Sequence, residues 1–285
     1  MDANNMYDLI DQNYGRFTKA ERKVADYVLA NANNILYTSI SDLADLVGVA
    51  DTTIFRFCRT LKLSGYQEFK MLLAQSSASQ NSTNYVLGEK IELYDSVDCV
   101  KKKTLAQNIA VLNETCALLT DQMIEQAVEM IKTARNIYLF GIGSSGAVAY
   151  AVQCKFLRIL PNVIYVSDLH MQTMSSTLLT PADLAIMFSY SGATKDMINI
   201  ARNAKNNRCK SICVTRYPNS PLADQCDVIL PCGSNEGPLH GGSLGAKISQ
   251  LFVLDVVCSE YIKRNYDQCT RNMEKTAGSI SEKML

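Results

Sequence analysis

Two short stretches of this chain join glycine to hydroxyl side chains in a way suited to holding an anion: GIGSSG at residues 141–146 and SYSGATKD at residues 189–196. Each follows an apolar run and precedes a segment with helical periodicity. A glycine turn at such a junction lets backbone N–H groups approach a phosphate, and the helix N-terminus behind it adds partial positive charge. Gly143 lies within the first turn, and Ser145, Ser189, Ser191 and Thr194 add hydroxyl donors. Together they suit a phosphate carried by a hydroxyl-rich small molecule. A third loop, SNEGPLHGGSLG, contains Glu236 and His240. That pair could move a proton beside a sugar carbonyl, hydrogen-bond ligand hydroxyls, or simply order a glycine-rich loop.

A rival chemistry competes for the first loop. Gly141-x-Gly143-x-x-Gly146 matches the dinucleotide fingerprint, and Asp168 follows about twenty residues on, where NAD sites place an acid. Against this, the second serine-rich loop has no role in a dinucleotide site. Asp168 also stands directly before LHMQTMSSTLL, where it can cap a helix. No cofactor is expected.

The elements that must position these loops are strands at 137–140, 163–166, 184–188, 211–214 and 228–230. They alternate with helices at about 147–160, 195–205 and 246–264. Short apolar strands alternating with helices predict a doubly wound, five-stranded parallel sheet covered on both faces. Both hydroxyl loops then fall at its carboxyl edge, where open α/β folds bind ligands.

The first third of the chain is different. Thr18-x-x-Glu21, Ser39-x-x-Asp42 and Ser64-x-x-Gln67 read as helix starts, the first leading a helix to about Asn31. In SDLADLVGVADTTIFRFCRTLKL a short helix stops at Gly48 and another starts at Ala50 or Asp51, the layout of a helix-turn-helix. Ile54, Phe57, Cys58 and Leu61 form the buried stripe of the second helix. Thr52, Thr53, Arg56, Arg59 and Lys62 stay outside, able to reach bases or phosphates of duplex DNA. Residues 1–79 nevertheless carry eight basic against nine acidic side chains. Non-specific affinity should be modest, so binding would depend on base contacts and dimerisation.

The polar tract SSASQNSTN at residues 76–84 reads as a linker, followed by helices at about 104–119 and 121–134. This gives an all-α domain over residues 1–77, a linker and connecting helix over 78–120, and an α/β domain over 121–285. The whole chain has 285 residues with 28 basic and 28 acidic side chains, which excludes nucleic-acid binding through bulk positive charge. No run approaches the roughly 18 apolar residues of a membrane span, and MDANNMYDLIDQNYG has no secretion signal. The ten cysteines are scattered without a C-x-x-C pair, so reduced thiols are expected rather than disulfides or a metal. A cytoplasmic location without membrane partners is expected.

TKAERKVADYVLAN, SISDLADLVGVADTTIFRFCRTL and SGYQEFKMLLAQ resemble the helix-turn-helix domain of RpiR/MurR-type transcriptional regulators. GIGSSGAVA and FSYSGATKDMI resemble the phosphate-binding turns of the sugar isomerase (SIS) domain those regulators carry. The resemblance spans nearly the whole chain in the family's order. It implies a homodimer or tetramer on a double-stranded, palindromic operator, with an SIS domain that senses a phosphosugar without catalysis. By matching position it makes Ser144, Ser145, Ser189, Ser191 and Thr194 effector contacts and Thr52, Thr53, Arg56 and Arg59 recognition-helix residues. Three departures stand out. Ala50 replaces the usual serine N-cap, Lys62 replaces a customary glycine, and EGPLHGGSLGAK is glycine-rich where many members carry arginine and serine. The alternatives are a sugar-phosphate isomerase working through Glu236 and His240, or an NAD-binding protein.

Overall fold

The computed structural model describes residues 6–35, 38–80, 91–92, 94–233 and 244–281, in two units that change over between Ala106 and Gln107. In the first unit the capping signals set the helices. The Glu21 N–H donates to Thr18 Oγ1 at 3.3 Å and the Thr18 N–H to Glu21 Oε2 at 2.8 Å, a reciprocal box that opens α2 (Lys19–Ile35). Burial pushes the Glu21 carboxyl up, but hydrogen bonds from Thr18 and Thr60 outweigh it and hold the group below the usual carboxylate range. Near its expected end α2 breaks at Asn31 (φ −133°, ψ 27°), then resumes to Ile35. Ser39 accepts the Asp42 N–H at 3.0 Å and caps α3 (Ile40–Val47).

Helix α5 (Tyr66–Gln80) departs from expectation at both ends. Ser64 pairs with Glu68 rather than Gln67, donating its N–H and hydroxyl to that carboxylate. The helix then runs through residues 76–80, the start of the tract read as linker. The physical reason is Ser76, which is buried and accepts the N–H of Met6 in α1 (Met6–Asn13). The core centres on α4 (Asp51–Thr60), where Ile54, Phe57 and Cys58 are wholly buried. Phe57 lies 5.0 Å from the Phe17 ring and 5.5 Å from the Phe69 ring. Each such side chain contributes about 1.5–3 kcal/mol by leaving water.

The helix expected from about Thr104 begins earlier, as α6 (Val97–Leu118). Ser96 caps it by accepting the Cys99 N–H, and Asp95 pairs with Lys103 at 2.7 Å. α7 (Asp121–Thr133) follows, opened by Thr120.

The second unit holds five parallel strands: β1 (Ile137–Gly141), β2 (Val163–Tyr165), β3 (Leu184–Phe188), β4 (Lys210–Thr215) and β5 (Val228–Pro231), in the order β2-β1-β3-β4-β5. The connecting helices are α8 (Ser144–Phe156), α9 (Leu169–Thr177) and α10 (Lys195–Asn206), and α11 (Leu244–Arg264) and α12 (Tyr266–Ser281) complete the unit. The period of two sorts the strands onto two cores. Ile186, Phe188, Ile212 and Val214 pack with α7, α8 and α11, whereas Ala185, Met187 and Cys213 pack with α10. Burial pushes the Cys58 and Cys209 thiols up to about 12, so both behave as small hydrophobes. Among the described residues no helix is long and apolar enough to cross a membrane.

Candidate functional site

The first candidate surface is α4. Gly48 closes α3 in the left-handed region (φ 71°), and α4 starts three residues later. Thr52, Arg56 and Arg59 of α4 are exposed and Thr53 is half-buried, while Lys62, also exposed, lies in the turn two residues beyond the end of the helix. Phe55 is exposed as well and carries the Arg59 guanidinium 5.1 Å above its ring, which limits where that cation can point. Both ends of α4 are locally poor. Ala50 gives no side-chain cap, and Asp51, the first residue of the helix, accepts the Ser41 hydroxyl at 2.9 Å. Lys62 sits at φ 61°, the conformation that favours glycine.

The second candidate surface is the carboxyl edge of the sheet. Gly141 of β1 registers with Phe188 of β3, so the two hydroxyl loops leave adjacent strands, about 4.8 Å apart. β2 lies on the other side of β1. The loops therefore flank the switch point of the strand order, where a crevice opens in such sheets. In the first loop Gly143 (φ 58°) leads into α8 without a side-chain cap, leaving that N-terminus open to an external acceptor. Ser144 is half-buried, and its Oγ is fully buried without a hydrogen-bond partner; Ser145 is half-buried beside it. An unpaired buried hydroxyl costs about 1–3 kcal/mol unless something arrives to bond it.

The second loop is clamped from below. Ser189 is buried and its N–H donates to Val214 C=O at 3.2 Å. Tyr190 C=O accepts from the Arg216 N–H at 3.0 Å and the Thr215 hydroxyl at 3.2 Å. Gly192 (φ 60°) must be glycine, since a Cβ there would lie 2.0 Å from Ser220 Oγ. These bonds leave Ser191 exposed, with its Oγ accepting the Ala193 N–H, and Thr194 at the head of α10 with no capping bond.

Gln172 is a site residue that sequence reasoning missed. β2 ends opposite Leu139, so β1 runs on unpaired on that side. There the buried Gln172 side chain of α9 takes the place of the missing strand: Gly141 N–H donates to its Oε1 at 3.1 Å, and its Nε2 donates to Gly141 C=O at 2.9 Å. The amide thus fixes the residue from which the GIGSSG turn springs. Nothing in the pattern of α9 marks it. Asp168 caps α9 through the Met171 N–H at 2.9 Å, as its position before that helix suggested. Glu236 and His240 lie outside the described residues.

Comparison with known proteins agrees with this architecture. Residues 4–80 match the helix-turn-helix domain of the rpiR family, and residues 130–259 match the SIS domain. An uncharacterized HTH-type transcriptional regulator of Haemophilus influenzae is 32% identical over 284 residues, covering 99% of both chains. The regulator HexR of Escherichia coli is 30% identical over 278 residues, covering 98% of this chain and 95% of its own. Among solved structures, the NanR protein of Vibrio vulnificus, complexed with ManNAc-6P, superposes with a TM-score of 0.87 at 27% identity, covering 98% of this chain and 99% of NanR. The chain belongs to the RpiR family of transcriptional regulators, an N-terminal helix-turn-helix domain followed by an SIS domain with a five-stranded parallel sheet.

Proposed function

We propose that this regulator reads duplex DNA with α4 and that a phosphorylated sugar, held at the carboxyl edge of the SIS sheet, sets its affinity for the operator. The observation that carries the reading is the pair of hydroxyl loops on adjacent strands at the switch point, with Ser144 Oγ buried and unbonded between a glycine turn and a helix N-terminus. Gly143, Ser144, Ser145, Ser189, Ser191 and Thr194 supply the cradle. A phosphate accepts from such donors and from the α8 and α10 N-termini at once. A relative of similar fold, NanR, was solved with a sugar phosphate, which supports the ligand class.

Residues 1–77 form the DNA-reading part and 121–285 the sensor. Thr52 and Thr53 meet the groove at the helix start, Arg56 reads a base, and Arg59 and Lys62 hold phosphate. With acidic side chains outnumbering basic ones by one in residues 1–79, a homodimer supplies the affinity by placing two α4 helices on half-sites about 34 Å apart. The sugar's effect on operator affinity equals its differential binding to two arrangements of the protein, typically about 1–3 kcal/mol. The function is sensing rather than catalysis, in line with relatives named as regulators.

The test is a thermal-shift screen of hexose, pentose, amino-sugar and acidic-sugar phosphates, with operator duplexes selected from a random pool. At a hundredfold excess over Kd the right sugar adds about 2.7 kcal/mol. Replacing Ser191 and Thr194 together removes that gain and spares DNA binding by ligand-free protein. Arg56→Ala does the reverse. Conversion of an aldose phosphate to a ketose by the purified protein would overturn the sensor reading.

A further inference from the structure

α6 touches the sheet in an unexpected place. Within the α/β unit Thr115 is the buried residue of this helix, and its Oγ accepts the Gly233 N–H at 3.0 Å, just beyond the end of β5. Its neighbour Glu114 pairs with Arg216, Oε1 to Nη1 at 2.6 Å. Arg216 is the first residue after β4. Both ties therefore reach the carboxyl edge of the sheet, the edge that carries the hydroxyl loops. Arg216 stands closest to them, because its N–H holds Tyr190 C=O between Ser189 and Ser191.

We propose that Arg216 is shared: in the free protein its guanidinium is held by Glu114, and the phosphate of a bound phosphosugar draws it away, loosening the fastening of α6. The inference rests on the phosphosugar reading of that edge. The physical grounds are three. The pair is partly open, with Arg216 22% and Glu114 38% exposed, so it is accessible to a competing anion and worth little by itself. A guanidinium binds a phosphate dianion in the same bidentate manner as a carboxylate, and the dianion carries the larger charge. The backbone of Arg216 is already fixed against the second loop, so the side chain alone has to move. α6 continues along the chain toward the helix-turn-helix, so the anion's arrival is felt by a helix that leaves the sensor. Thr115 keeps its bond to Gly233 throughout, and the change is a loosening rather than a release.

The test uses the full-length protein with inorganic phosphate and the strongest phosphosugar of the screen as probes. Glu114→Gln removes the internal competitor, so both probes should bind about two- to fivefold tighter, the fold equivalent of a partly exposed ion pair. Arg216→Gln should bind tenfold or more weaker, with Arg216→Lys between. Hydrogen exchange supplies the second readout: the sugar should speed exchange in residues 111–118 of wild type, and Glu114→Gln should show that faster exchange before any ligand is added. A pair that is merely structural would give the opposite sign, a destabilised variant with unchanged or weaker binding. Either unchanged affinity in Glu114→Gln or full affinity in Arg216→Gln overturns the shared-arginine proposal while leaving the cradle intact. Wild type that binds neither probe overturns the cradle itself.

Discussion

The two edges of the sheet treat polar groups in opposite ways. At the amino edge Asp183, 2% exposed, accepts from the Thr180 N–H and hydroxyl at 3.0 and 2.7 Å, from Asn136 Nδ2 at 3.1 Å and from Arg135 Nη2 at 3.2 Å. Burial pushes its carboxyl up, but Thr180, Asn136 and Arg135 together hold it below the usual range. Asp227 closes on Ser211 in the same fashion, accepting its N–H at 2.7 Å. One amide oxygen, that of Asn162, is left over there, on a side chain that already donates to two carbonyls. At the carboxyl edge the backbone is just as firmly braced, by Gln172 and Thr215, but the Ser144 hydroxyl is left unbonded and Thr194 gives α10 no capping bond. Paired polarity marks an edge that holds the fold; on the proposed reading, a braced backbone beside an unbonded hydroxyl marks one that takes a ligand.

That contrast can be broken most directly at Asp183. Asp183→Ala strands the Thr180 N–H, the Asn136 amide and the Arg135 guanidinium, and should cost about 3–5 kcal/mol. If the edges have separate tasks, the surviving folded protein keeps its affinity for the phosphosugar. A denaturant melt with and without sugar reads both quantities, and lost affinity would show that the amino edge also shapes the site.

Gln172 sharpens the contrast from the other side. Gln172→Leu leaves both backbone groups of Gly141 unpaired in the interior, at about 2 kcal/mol, and here sugar affinity should fall with stability. Gln172→Glu adds a pH test. The introduced carboxyl, when neutral, can accept the Gly141 N–H and donate to its C=O; ionised, it cannot donate and faces a carbonyl at close range. Burial raises its folded pKa above the unfolded value of about 4.3. Stability and sugar binding are therefore fullest below that value and are lost as pH rises through the folded pKa. Calorimetric titrations across the acid range should show this in the variant and not in wild type.

The sheet was legible because buried parallel strands are short, apolar and bounded by glycine or polar residues; Leu184–Phe188 was placed without error. Helix starts that depend on a local cap were legible too, as at Thr18 and Ser39. Elements without such marks were misplaced. α8 begins at Ser144 rather than near Ala147, because the loop's serines already form its first turn, and it stops at Phe156 rather than Leu160. α12 was not anticipated, since Asn265 ends the preceding pattern and the segment after it is mostly polar. In the candidate site, the hydroxyl residues stand out by composition, whereas the Gln172–Gly141 and Glu114–Arg216 contacts join residues 31 and 102 positions apart, beyond any local pattern.

Helix α4, proposed to read DNA, offers the smallest effects and the finest test of the same idea, that locally unsatisfied positions are kept for function. Ala50→Ser supplies the missing cap of α4 and should stabilise the helical unit by about 1 kcal/mol, with operator affinity unchanged if position 50 faces no DNA. Lys62→Gly relieves a left-handed lysine and should stabilise by a similar amount, about 1 kcal/mol. It also deletes an exposed cation just beyond the end of α4, so if Lys62 holds phosphate as proposed, operator binding should weaken evenly across sequences and its salt slope should shrink by about one ion per protomer. Melts and salt-dependent gel shifts on the pair separate the two positions. A Lys62→Gly protein that is more stable yet binds DNA with an unaltered salt slope would mean that the strained lysine serves neither fold nor operator, and Lys62 would leave the DNA-reading set.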